Sequence, residues 1–117
     1  MSIKRRYRLR RPQDFARLRA EGQVTRHAMM ILSVAPNPLT HNRYGIITAK
    51  RLGNAVKRNR ARRQVSHALR ALHPALPAGF DVVCIVRGAA IGAEQSAIMA
   101  ALRQTLRRAD LLSEDEL

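Results

Sequence analysis

Residues 50–63 read Lys-Arg-Leu-Gly-Asn-Ala-Val-Lys-Arg-Asn-Arg-Ala-Arg-Arg, and no other stretch constrains the fold as much. Half of these fourteen residues are Lys or Arg and none is acidic. Leu52-Gly53-Asn54 reads as a turn with Asn54 as helix N-cap, because its side chain can accept from a free N–H of the first turn. A helix over 55–72 follows. Ala61, Val65, Ala68, Leu69 and Leu72 share one face at helical spacing, which must turn inward. Arg60, Arg63, His67 and Arg70 then fall on the far side, with Arg62 at the border. Pro74 and Pro77 end the helix. The surroundings are as one-sided. Residues 22–80 contain ten Lys or Arg and no carboxylate. A merely solvated face normally mixes both signs, so this one calls for a polyanion to neutralise it.

The rest of the chain supplies a small α+β domain. Its 117 residues and 46% apolar content suit one domain with a modest core. Residues 1–11 carry six Lys or Arg and are expected to form a loose, self-repelling tail. Pro12 opens a short helix with Phe15 and Leu18 on one side, and Gly22 stops it. Strands are expected over 28–35 and 44–50, paired as a hairpin with a long loop at Pro36-Asn37-Pro38. A third strand over 80–87 has a continuous apolar run, the mark of burial on both faces. A helix over 94–108 carries the stripe Ile98, Leu102 and Leu106. Residues 110–117 are expected to fray. The expected order is α-β-β-α-β-α, with helices packed on a small central sheet and residues 1–117 forming a single nucleic-acid-binding domain.

The net charge of +14 places the chain among nucleic-acid binders. A membrane surface is the competing polyanion, but no long amphipathic helix with bulky aromatics and no spanning run is present. A single cysteine, Cys84, excludes an internal disulfide, makes a zinc site a poor reading and fits a reducing cytoplasm. At the start of the 55–72 helix, free N–H groups and a positive dipole lie among Lys50, Arg51, Lys57 and Arg58, which makes a phosphate site. Asn59 adds a donor and acceptor for a ribose or base edge. His27, His41, His67 and His73 could supply acid and base for a metal-free nuclease, but no spacing pairs them. Asp14, Glu21, Asp81 and Glu94 are scattered, whereas a two-metal nuclease needs clustered carboxylates. Cys84 and the Met29-Met30 pair read as core.

The run from Arg43-Tyr44-Gly45-Ile46 through Arg60 resembles the signature of the bacterial ribonuclease P protein subunit, whose G-N-A-V-x-R-N-R segment corresponds to residues 53–60. The resemblance covers nearly the whole chain, including the basic start, the helix with Asp14-Phe15 and the Gly22 stop. It implies a protein that joins a large catalytic RNA and contacts the 5′ leader of precursor tRNA during 5′ maturation. It further implies that Mg²⁺ in the holoenzyme is held mainly by RNA and none by the protein alone, with no obligate protein partner and no membrane. Contacts with the catalytic RNA carry over to Arg58, Asn59 and Arg60, with Lys50, Arg51, Asn54, Lys57 and Arg63 as neighbours. The leader cleft carries over to Phe15 and Arg62. Two further aromatic positions of that cleft are Arg19 and Ile31 here, and a basic one is Ser66. Stacking contributes about 1–3 kcal/mol per base, so this cleft relies more on charge and apolar contact. The resemblance also implies a left-handed β-α-β crossover, in a fold like ribosomal protein S5 domain 2, where general handedness rules favour the right-handed form. Composition alone leaves open a ribosomal or RNA-chaperone protein, a histidine ribonuclease and a DNA-binding module.

Overall fold

The computed structural model describes residues 4–113. Three helices, α1 (Pro12–Glu21), α2 (Ala55–Leu72) and α3 (Gln95–Arg108), accompany four strands. The strands are β1 (Gln23–Arg26), β2 (Met30–Pro36), β3 (Arg43–Ile47) and β4 (Phe80–Val86). They form one mixed sheet in the order β1-β2-β4-β3. β2 pairs antiparallel with β1 and β4, while β3 runs parallel to β4 and reaches it through α2.

The α+β class and all three long helices agree with the sequence reading; four details do not. First, β1 is an additional strand, so the order is α-β-β-β-α-β-α. Second, β2 and β3 do not form a hairpin; β4 lies between them, and the hairpin is β1–β2. Third, residues 4–11 are not a loose tail. Arg5–Tyr7 forms a 3₁₀ turn, Arg8 bridges Tyr44 in parallel, the Leu9 N–H donates to the Tyr44 carbonyl at 2.7 Å, and Leu9 is buried. Fourth, Leu111 and Leu112 are buried against the main core, so the expected fraying fails there; residues 114–117 lie outside the described part.

Strand alternation divides the sheet into two faces. Met30, Leu32, Val34, Tyr44, Val82, Cys84 and Val86 point to the main core, where α2 and α3 supply Val65, Leu69, Ile98, Leu102 and Leu106. Each fully buried aliphatic side chain of this kind contributes about 1.5–3 kcal/mol. The opposite face carries Val83 and Ala35, which α1 covers with Leu18 and Phe15, while Leu9 of the N-terminal segment closes the edge. The third strand's continuous apolar run is thus explained: β4 is central, with cores on both sides. Ser33 ties α1 to β2 by donating to the Leu18 carbonyl at 3.0 Å. α1 leaves one row of this face open. Register aligns Ile47, Ile85, Ile31 and Arg26 across all four strands.

Candidate nucleic-acid interface

The start of α2 is built as the sequence suggests. The Asn54 side chain accepts from the Lys57 N–H at 2.9 Å. Lys50–Leu52 forms a 3₁₀ turn, and Gly53 joins it to the cap with φ of 144°, a conformation other residues avoid. Lys50, Arg51, Asn54, Lys57, Asn59 and Arg60 are exposed, and Arg58 is half-buried. One apolar residue belongs to this surface and escaped the sequence reading. Val56 is 75% exposed in the first turn. Its position off the core stripe was the available signal.

A second site lies at the β3 edge of the sheet, between α1, the N-terminal segment and α2. A cleft of about 450 Å³ is lined by Arg8, Arg10, Phe15, Arg62 and Arg63, with Leu9, Tyr44, Gly45, Ile46 and Ser66 as its floor and wall. Phe15 also walls a neighbouring hollow of about 400 Å³ shared with Arg19, Ile47 and Ile85. The structure therefore brings together Phe15, Arg19 and Arg62. Ile31 lines neither cavity, but register places it beside Ile85 on the same open face. Arg63, grouped by sequence with the α2 start, lines the Phe15 cleft instead. Arg62 is held by two bonds, to the Ile46 carbonyl at 3.1 Å and to the Thr48 hydroxyl at 2.6 Å, which fix its guanidinium at the rim. Arg8 and Arg10 were missed because the N-terminal segment was read as detached. Gly45 admits the Phe15 ring against bare backbone; a Cβ there would stand 2.8 Å from the ring. None of residues 50–60 walls either cavity.

The carboxylates serve structure. Asp81 is fully buried and accepts from Arg43 at 2.8 and 2.9 Å, from Asn37 at 2.8 Å and from Arg17. Asp14 lies 3.5 Å from Arg43. The Asp81 hydrogen bonds raise the Arg43 pKa above its ordinary value. Among the described residues no three His, Cys, Asp or Glu side chains converge as metal ligands. Two histidines do meet, contrary to expectation. His41 and His73 both pack on Tyr7, at ring-centroid distances of 5.6 and 4.8 Å. His27 is a turn element; its ring accepts from the Met29 N–H at 3.0 Å and meets Gln104 at 3.1 Å. Burial of Cys84 raises its thiol pKa to about 12, so it is no nucleophile. Among the described residues no helix is long and apolar enough to cross a membrane.

Known proteins resemble this chain in sequence and in fold. The Ribonuclease P family model matches residues 3–110. The ribonuclease P protein component of Roseiflexus sp. strain RS-1 is 43% identical over 112 residues, covering 94% of this chain and 91% of the relative. That of Chloroflexus aggregans is 43% identical over 115 residues, covering 97% and 85%. Among solved structures, the Staphylococcus aureus RNase P protein superimposes with a TM-score of 0.85 at 26% identity, over 92% of this chain and 98% of that one. The Thermotoga maritima RNase P protein does so with a TM-score of 0.79 at 27% identity, over 86% and 96%.

Proposed function

The chain belongs to the ribonuclease P protein family, and we propose that it divides its RNA contacts between the two surfaces described above. Membership makes it a protein subunit of the tRNA 5′-processing endoribonuclease and gives it the ribonuclease P RNA as partner. In our reading, Lys50, Arg51, Asn54, Lys57, Arg58, Asn59 and Arg60 dock on that RNA, with Val56 against a ribose or base. The Phe15 cleft takes the single-stranded leader of precursor tRNA, with Arg8, Arg10, Arg62 and Arg63 neutralising its phosphates and the isoleucine row beside Arg19 giving apolar contact. One observation carries this division: a half-buried aromatic ring lies among four guanidinium groups, and residues 50–60 take no part in that cleft.

Catalysis is assigned to the RNA, as is the Mg²⁺. The supporting observations concern donors. Asp14 and Asp81 are engaged by arginines, and His27 is committed to a backbone N–H, so these groups suit neither metal binding nor proton transfer. We place the protein in the cytoplasm, in keeping with one buried free cysteine.

Reconstitution with a bacterial ribonuclease P RNA tests the division. Replacing Arg58 and Arg60 by Ala should weaken assembly by a few kcal/mol at most, since charged hydrogen bonds contribute about 1.5–3 each. Substrate preference of the assembled complex should change little. Phe15→Ala should lower affinity for precursor tRNA with a leader and leave mature tRNA binding unchanged. Equal weakening of both substrates would refute the cleft assignment.

A further inference from the structure

A smaller cavity of about 230 Å³ lies on the far side of the N-terminal segment, walled by Lys4, Tyr7, Tyr44, Arg70, His73 and Pro74. We propose that it is a second base-binding site for the same single strand that occupies the Phe15 cleft. This inference rests on the leader reading of that cleft. Its chemistry is that of a nucleotide site. Tyr7, His41, Tyr44 and His73 form one ring cluster, with centroids 4.8 to 5.6 Å apart in successive pairs. The Arg6 guanidinium stands 4.7 Å above the Tyr7 ring. Lys4 and Arg70 complete a rim without any carboxylate. Flat π surface combined with cations is the arrangement that holds unpaired bases and their phosphates.

The hydrogen bonding adds a donor. Asn42 donates to the Tyr44 hydroxyl oxygen at 3.2 Å, and the same hydroxyl lies 2.7 Å from His73 Nδ1. In the tautomer where the Tyr44 hydroxyl donates to Nδ1, His73 carries its proton on Nε2 and can donate it to a base edge or phosphate. Burial, then the facing Arg6 and His41, lower the His73 pKa below its ordinary value.

Continuity identifies the strand. Tyr44 walls both cavities. Arg62, Arg63 and Ser66 of α2 line the first, and Arg70, one turn on from Ser66, lines the second together with His73 just past the helix end. At about 1.5 Å per residue, Arg63 and His73 are about 15 Å apart along the helix axis. A strand leaving the Phe15 cleft along this face arrives at Tyr7 and His73.

The test uses the full chain assembled with ribonuclease P RNA and precursor tRNAs whose leaders are shortened one nucleotide at a time. Tyr7→Leu keeps the apolar contact with the core and removes the ring; Arg70→Gln leaves the rings in place. Each variant should lose affinity only for leaders long enough to reach the pocket. Tyr7→Leu should lose about 5- to 140-fold, the equivalent of one stacked base. Phe15→Ala should weaken binding of shorter leaders as well. Leaders carrying 4-thiouridine should photo-crosslink to Tyr7 or His73 of the unaltered protein from distal positions. Leader-length-independent behaviour of both variants, absence of any such crosslink, or a loss confined to assembly with the catalytic RNA would each overturn the proposal. If Phe15→Ala is also insensitive to the leader, the cleft reading itself fails; if it alone responds, only the second site does.

Discussion

Single residues in this chain carry charge for two opposite purposes. Most of its arginines are held outward, whereas Arg17 and Arg43 are folded onto the buried carboxylate of Asp81. Asp81→Ala strands both guanidinium groups and the Asn37 amide. The arginines remain partly exposed and can recover water, so the cost falls below that of a fully buried pair, at about 2–4 kcal/mol. Asp14→Ala removes only one long contact and should cost under about 1 kcal/mol. Urea unfolding of the two variants measures the difference, and comparable costs would contradict the role given to Asp81. His73 gives a pH dependence. Its pKa is lowered in the folded protein, chiefly by burial and then by Arg6 and His41. The unfolded chain therefore binds the proton more readily, and His73's contribution is full above its ordinary value of 6.5. It is lost as pH falls from there through the lowered folded value. Urea midpoints at pH 7.5 and 5.5 should show the acid loss, and His73→Gln should reduce it. Neither role was legible in the sequence. Asp81 lies 64 positions from Arg17 and 38 from Arg43, and no local pattern announces pairings of that range.

At the scale of elements, what could be read locally was read, and what depends on distant pairing was not. α2 was legible in full because its N-cap, its 3.6-residue stripe and the two prolines just beyond its end are all local in sequence. β1 was not, since four residues with only Val24 as a large apolar side chain show no strand signature; β2 and its hairpin partner define it. The β2–β3 hairpin was expected from adjacency, yet the chain inserts β4 between them, a choice made by burying β4's apolar side chains on both faces. The N-terminal segment was misjudged because its charge run masks Tyr7 and Leu9, which fasten it to the edge of β3. With it, two walls of the Phe15 cleft were missed. The cap of α2 permits a separation of folding from binding. Asn54→Asp preserves the side-chain acceptor and suits the positive helix end, so stability should stay within about 0.5 kcal/mol. The same carboxylate repels phosphate at that end, so affinity for the ribonuclease P RNA should fall. A thermal melt and an RNA titration on one preparation check both halves. Unchanged RNA affinity would remove the start of α2 from the docking surface.

Over the whole molecule, the charge distribution decides how binding responds to its medium. The described part measures 36 × 34 × 25 Å. At 0.1 M salt the Debye length is about 10 Å, whereas Arg60 and Arg63 are about 4.5 Å apart along α2, so the α2 start and the rim of the Phe15 cleft sense one another as one continuous positive surface. Of the five carboxylates within residues 4–113, Asp14 and Asp81 are already paired with arginines, which leaves little acidic surface to compete with phosphate. Binding free energy must therefore come largely from release of counterions by RNA. If six to ten phosphates are neutralised, affinity for the ribonuclease P RNA should fall about 10³- to 10⁵-fold between roughly 50 and 200 mM monovalent salt. Removing Arg58 and Arg60 together should flatten the logarithmic slope by about two phosphate equivalents, or roughly 1.4 to 1.8. Phe15→Ala should leave that slope unchanged, because stacking releases no ions. Filter-binding titrations at four salt concentrations provide all three slopes. An unaltered protein with a flat response, or a Phe15 variant whose slope falls as far as that of the double arginine variant, would show that the charged helix end and the aromatic cleft do not make the distinct contacts proposed for them.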